Sequence, residues 1–279
     1  MQTLSAVLHQ GDQDPALQEI ILALASAGER ISAKLRLGAL ASILGDAKKV
    51  NVQGEQQKKL DIIANQIVID KLSSLKAVAG MASEEEEQFI TGHPEGRYLV
   101  MFDPLDGSSN IDIDISVGTI FSLFMKPRDE DLQEKHFLQP GNKQVAAGYI
   151  LYGPQTLLVM TFGQEVLFFT LDHKGEFRQQ TSPPSLVQET QEFAINMSNQ
   201  RFWPKEIQKY ITFLLQGKEG PRGKDYNMRW VASMVAEIHR ILLRGGVFIY
   251  PQDSRSAYQH GKLRLLYDCL LYTSPSPRD

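Results

Sequence analysis

Between residues 17 and 44 the apolar positions Leu17, Ile20, Ile21, Leu24, Ile31 and Leu35 recur at helical spacing. Glu29, Arg30 and Lys34 take the polar positions, which predicts an amphipathic helix. Asn51 to Gly54 breaks the pattern. A second helix is expected from Leu60, Ile63, Ala64, Ile67 and Val68, with Asp61 at the edge of its apolar face. From Lys76 the period shortens. KAVAGMAS (76–83) reads as a strand running into a cap at Ser83, and RYLVMF (97–102) as a second strand that Pro104 should close. Segments 115–125, 145–152, 157–162 and 165–171 continue a strand-rich stretch. TSPPS (181–185) reads as a linker. Beyond it come strand-like FAINMS (193–198), helices near 204–215 and 231–243, and strand-like GVFIY (246–250). The pattern predicts a mixed α/β chain with a helix-and-sheet domain over 1–183 and an α/β domain over 184–268.

Composition narrows the function classes. A chain of 279 residues suits one large or two modest domains. Acids exceed bases by 33 to 29, so no global basic field invites nucleic acid. The lone Cys269 can form neither an internal disulfide nor a thiolate zinc site, which points to a reducing, cytoplasmic setting. No apolar run reaches the roughly 18 residues of a membrane span, and the N-terminus lacks a signal-peptide core. Neither a nucleic acid nor a membrane is therefore expected as a partner.

The candidate chemistry lies in carboxylates. Asp103-Pro104-Leu105-Asp106-Gly107-Ser108-Ser109-Asn110 follows a predicted strand, where α/β folds place ligands. Two carboxylates three residues apart, with proline between them, can converge on one centre. Gly107 frees the backbone, and the Ser108 and Ser109 amides and hydroxyls can face an anion. Such oxygen-rich sets suit a hard cation, Mg²⁺ in particular. The plainer reading is a surface turn, since Asp, Gly, Ser and Asn are also turn formers. Ser83 with Glu84, Glu85, Glu86 and Glu87 reads either as a helix cap, Ser83 and Glu86 forming a capping box, or as metal ligands at a second strand end. Asp61 alone would pass for a solvated or capped residue. A two-metal phosphatase site explains why so many acids would gather. Arg229, Lys262 and Arg264 are candidates for the remaining phosphate charge.

These residues carry a resemblance. DPLDGSSN (103–110) resembles the wider magnesium-dependent, lithium-sensitive phosphatase superfamily, which includes inositol monophosphatases. NVQGEQQKKLD (51–61), ASEEE (82–86), SVGTIFSLF (116–124), FLQPGNKQVAAGYILYG (137–153), SMVAEIHR (233–240) and GKLRLLY (261–267) narrow it. Together, over about residues 17–267, they resemble class I fructose-1,6-bisphosphatase of the bacterial type. The inositol monophosphatase reading does not account for the last blocks.

The resemblance implies a layered α/β/α/β/α sugar-phosphatase fold and Mg²⁺-dependent hydrolysis of the 1-phosphate of fructose 1,6-bisphosphate in gluconeogenesis. It also implies two or more Mg²⁺ ions per subunit and a cytoplasmic homotetramer. Glu84, Glu85, Asp103 and Asp106, with the Leu105 carbonyl, fall on metal-ligand positions. Asp61, with Glu85, falls on the group that activates the attacking water. Asp106, Gly107, Ser108 and Ser109 match the loop that receives the 1-phosphate. Asn196, Tyr250 and Lys262 match groups that hold the 6-phosphate and sugar, and Arg229 matches an arginine donated across a subunit interface.

The sequence also departs from the family pattern. Trp230 stands where many members have Tyr, and Asn199 where vertebrate members have a sugar-site Tyr. Met125 replaces an arginine associated with AMP, so weak or absent AMP inhibition is expected. After LRLLY, Asp268 takes the position of a metal-ligand Glu, and LLYTSPSPRD (270–279) replaces a longer family ending. This reads as a second domain cut short, with 269–279 an unrelated tail. The alternatives that remain are sedoheptulose 1,7-bisphosphatase activity and a catalytically defective fragment.

Overall fold

A computed structural model of the chain describes residues 1–38, 46–50, 56–128, 130–181 and 190–255. They fall in two compact units, which divide between Pro183 and Pro184.

The first unit opens with helix α1 (Leu4–Gln10) and helix α2 (Pro15–Leu37). Asp14 caps α2 by accepting from the Ala16 amide at 2.9 Å, and Pro15 supplies a fixed φ at the first helical position. The helix ends at Leu37, seven residues short of the expectation, because Gly38 turns the chain at φ +44°. Strands β1 (Asp46–Val50) and β2 (Gln56–Lys58) pair antiparallel, and helix α3 (Lys59–Ser73) follows.

Strands β3 (Val78–Ser83), β4 (Ile90–Thr91), β5 (Tyr98–Asp106), β6 (Val117–Met125), β7 (Gln144–Tyr152), β8 (Thr156–Thr161), β9 (Val166–Leu171) and β10 (Phe177–Gln179) form one eight-stranded sheet. Its order is β10-β9-β8-β7-β6-β5-β3-β4, with β3 and β5 parallel and the other neighbours antiparallel. Strand β5 is buried on both faces, which explains its unbroken apolar run. Val100 and Phe102 join the core of Ile20, Leu24, Leu60 and Val68 from the helices. Leu99 and Met101 pack with Phe124 and Phe137 on the opposite face. Gly148 in β7 permits a close approach: a Cβ there would meet the Val159 carbonyl oxygen at 2.6 Å and the Phe121 ring at 2.7 Å.

Two expectations need correction in this unit. Strand β5 runs through Pro104 to Asp106, because the β5–β6 register slips between Asp103 and Asp106, and a bulge tolerates a residue without an N–H. Ser83 starts no helix. It ends β3, and Glu84 to Glu87 occupy turn and bend positions.

The second unit holds a three-stranded parallel sheet, β12-β11-β13, formed by β11 (Glu192–Ile195), β12 (Asn227–Met228) and β13 (Val247–Ile249). Strand β11 is shorter than FAINMS suggested: Asn196 accepts from the Ser198 amide at 3.2 Å and starts a 3₁₀ turn over Met197–Phe202. Helix α4 (Lys205–Leu215) places Ile211 and Leu214 with Phe193, Ile195 and Trp203 in a small core. Helix α5 (Met234–Arg244) is tied to β11 by charge: Arg240 pairs with Glu192 and with the fully buried Glu237, which also accepts from the Val231 amide at 2.7 Å. This network accounts for much of the SMVAEIHR block.

Candidate active site

The parallel pairing of β3 with β5 sets the site. Ser83 stands in register with Phe102, and the Glu84 amide donates to the Phe102 carbonyl at 3.1 Å. Glu84 therefore follows the carboxyl end of β3, and Asp103 lies beside it among the last residues of the parallel strand β5, the place where α/β sheets collect ligands. Both are buried, as is Asp106, while Glu85 is half-buried.

Two hydrogen bonds hold the 103–106 bulge, and a third backs one of them. Asp103 Oδ1 accepts from the Leu105 amide at 2.9 Å. The Thr119 hydroxyl donates to the Pro104 carbonyl at 2.8 Å and lies 2.8 Å from the Tyr152 hydroxyl. Thr119 has one proton and spends it on Pro104, so the Tyr152 O–H must donate to Thr119. Gly107 then turns the chain at φ +78°, and Ser108–Ile113 form a 3₁₀ helix. Ser108 is half-buried and Ser109 exposed.

Asp61 enters from α3. It lies at the third position of the helix, 2% exposed, and its Oδ2 accepts from the Lys58 amide at 2.6 Å. Its Oδ1 is buried without a hydrogen-bond partner. Burial pushes the Asp61 carboxyl up to about 6, and the Glu84 carboxylate adds to the shift. The Lys58 amide and the nearby Ser108 hydroxyl oppose it, the latter from outside full hydrogen-bond geometry. Glu84 and Ser108, supplied by two other parts of the chain, thus both act on Asp61.

Among the described residues, no three His, Cys, Asp or Glu side chains stand close enough together to hold a metal ion as they are. The donor set still fits a hard cation, since it offers carboxylate oxygens, and Asp61 Oδ1 is a buried acceptor with nothing to accept.

In the second unit, Asn196 and Tyr250 line one small cleft with Ile195, Asn199, Trp203, Ile249, Pro251 and Asp253. Asp253 is buried and ion-paired to Arg255. Trp230 stacks on Phe248 with ring centroids 5.8 Å apart and lies 6.1 Å from the Tyr250 ring. Arg229 is not among the residues lining this cleft. It is exposed, with Nε 3.6 Å from Glu192 Oε1. Lys262 and Asp268, and with them Arg264 and Cys269, lie outside the described residues. Sequence reasoning missed Asn65, Thr119, Tyr152 and Asp253. Only Asn65 left a signal, four residues beyond Asp61 on the same helix face. No helix of the described residues is long and apolar enough to cross a membrane.

Comparison with known proteins gives consistent matches. Residues 3–182 match the family "Fructose-1-6-bisphosphatase, N-terminal domain" and residues 186–272 match "Fructose-1-6-bisphosphatase, C-terminal domain". A fructose-1,6-bisphosphatase class 1 of Neisseria meningitidis serogroup A is 59% identical over 261 residues, covering 94% of this chain and 80% of the relative. Its counterpart in Shewanella amazonensis is 51% identical over 269 residues, covering 96% and 84%. The crystal structure of Leishmania major fructose-1,6-bisphosphatase in holo form superposes with a TM-score of 0.89 at 34% identity, covering 96% of this chain and 83% of that one.

Proposed function

The chain belongs to the class 1 fructose-1,6-bisphosphatase family, and from that premise we propose that it hydrolyses the 1-phosphate of fructose 1,6-bisphosphate, releasing fructose 6-phosphate and phosphate. The observation that carries the reading is the buried acidic end of β3 and β5, facing Asp61 across from α3.

Water attacks the phosphorus in line with the departing sugar oxygen; the new P–O bond forms as the bond to the 1-oxygen breaks. Asp61, through its vacant Oδ1, takes the water proton together with Glu85, and the sugar oxygen leaves with a proton from solvent. Burial raises the Asp61 carboxyl above its ordinary value, the direction that favours its taking a proton. The amides and hydroxyls of Gly107, Ser108 and Ser109 orient the reacting phosphate. Glu84, Glu85, Asp103, Asp106 and the Leu105 carbonyl would hold Mg²⁺, two or more ions per subunit. Bound there, the metal's contribution is Lewis-acid stabilisation of phosphoryl charge and a lowered pKa for the attacking water.

In the second unit, Asn196 and Tyr250, together with Lys262, take the distal phosphate and the sugar; that binding energy orients the reacting end and disfavours monophosphates. Arg229 acts from a neighbouring subunit of a homotetramer, to which its exposure and loose pairing lend support. The division of labour follows 1–183 and 184–268, Asp268 completes the metal set, and the setting is cytoplasmic and gluconeogenic.

The test is phosphate release from fructose 1,6-bisphosphate in the presence of Mg²⁺, with sedoheptulose 1,7-bisphosphate alongside. Release should favour the fructose ester in kcat/KM and stop on chelation. Asp103→Asn should lower it by at least ~100-fold, since it removes the negative charge of a buried ligand at the reacting centre. No release from folded wild-type protein overturns the reading.

A further inference from the structure

We propose that Asn65 is a positioning residue that sets the distance between Asp61 and the acidic turn after β3. Asn65 lies one helical turn beyond Asp61 on α3 and is 6% exposed. Its amide is used at both ends. The Ser83 hydroxyl donates to Asn65 Oδ1 at 2.7 Å, and Asn65 Nδ2 donates to Glu86 Oε1 at 2.6 Å. Ser83, 1% exposed, has then spent its only proton, so its oxygen is free to accept from the Glu85 amide, which it does at 3.2 Å. The Glu86 amide returns to the Ser83 carbonyl at 3.3 Å.

The result is a strut with a fixed direction. Glu84 and Glu85 lie between its two attachment points, Ser83 and Glu86, so their backbone is clamped to the helix that carries Asp61. Each partner also dictates the amide's orientation: the Ser83 proton needs an oxygen, and the Glu86 carboxylate needs a donor. Hydrogen bonds to a carboxylate are among the stronger ones, and the buried Ser83 link has no water to replace it. Both polar atoms of the Asn65 amide are engaged by Ser83 and Glu86, and Asn65 acts through them. Its effect is on where the carboxylates stand, and outer partners of this kind govern metal affinity and turnover together.

The inference rests on this acidic end being the metal-dependent site, so its test reads the metal directly. Asn65→Leu keeps size and charge but removes both bonds. N65D/E86Q exchanges amide and carboxylate between the two positions, conserves net charge and restores both bonds, since the amide placed on the turn can donate to the carboxylate placed on the helix. Mn²⁺ alone serves as the probe, its free concentration read by electron paramagnetic resonance without substrate, followed by kcat and KM with Mg²⁺. In Asn65→Leu, Mn²⁺ affinity and kcat should each fall about tenfold with KM within about twofold; in N65D/E86Q both should return to within about threefold of wild type. Melting of the metal-free proteins reports damage to the fold. Should Asn65→Leu not fold, the comparison of N65D with N65D/E86Q decides, with at least about fivefold recovery of kcat expected on adding E86Q. Unchanged Mn²⁺ affinity in Asn65→Leu, or no recovery in the double variant, overturns the proposal, as does a wild type that binds no Mn²⁺. A wild type whose Mn²⁺ affinity depends on Asn65 yet which releases no phosphate counts against the phosphatase reading alone.

Discussion

Asp14 uses two oxygens for three tasks. Its Oδ1 caps α2 through the Ala16 amide, while Oδ2 accepts from the Tyr98 hydroxyl at 2.9 Å and pairs with Arg97 at 2.7 Å. The Ala16 amide is the largest influence holding its carboxyl below the usual value, and Tyr98 and Arg97 add to it against the cost of burial. Because the folded pKa lies below the unfolded one, the stabilisation is fully present above the unfolded value of 3.8 and is lost as pH falls through the folded value. Asp14→Ala should therefore cost about 1–2 kcal/mol in urea unfolding near neutral pH, most of it the cap. The gap from wild type should narrow as pH drops below 3.8. A gap that stays constant into acid would mean that the charged form contributes nothing.

At the scale of elements, the bulge that ends β5 depends on its neighbours. The chain Tyr152 O–H to Thr119 to the Pro104 carbonyl crosses three adjacent strands, β7, β6 and β5, and is buried throughout. Thr119→Val preserves shape and leaves both the Pro104 carbonyl and the Tyr152 hydroxyl without that partner. It should cost about 1–3 kcal/mol in denaturant unfolding and lower kcat more than it raises KM, because the carboxylates on either side of Pro104 lose their support. Loss of stability with unchanged turnover would separate the bulge from the chemistry. The elements themselves were largely legible in the sequence. Periodicity located α2, α3 and the strands from β6 to β9, because each shows its buried face as a regular spacing. Proline misled at β5, where a register slip removes the need for its amide, and Ser83 misled because a cap and a strand end draw on the same residue types. The two-residue strands β4 and β12 are too short to show any period.

For the whole molecule, the site was legible where it is contiguous and hidden where it is assembled. DPLDGSSN carries its chemistry in eight adjacent residues, whereas the links through Asn65, Thr119 and Tyr152 exist only once α3 and four strands have docked. Assembly brings a cost: Asp61, Glu84, Asp103 and Asp106 all leave water on folding, and Asp61 registers it as a carboxyl raised to about 6 with Glu84 contributing. A cation that binds these groups only in the folded state must stabilise the chain by mass action, by about 2.7 kcal/mol at one hundred times its dissociation constant. The melting temperature should therefore rise steadily with the logarithm of Mg²⁺ concentration and not with Na⁺ at matched ionic strength. Asp103→Asn should melt at or above the metal-free wild type, since it removes buried charge, and should lose most of the Mg²⁺-dependent rise. Differential scanning calorimetry over a Mg²⁺ series measures both. An equal rise in wild type and variant would place the cation elsewhere, and no rise in either would leave these carboxylates buried for a purpose other than holding a metal.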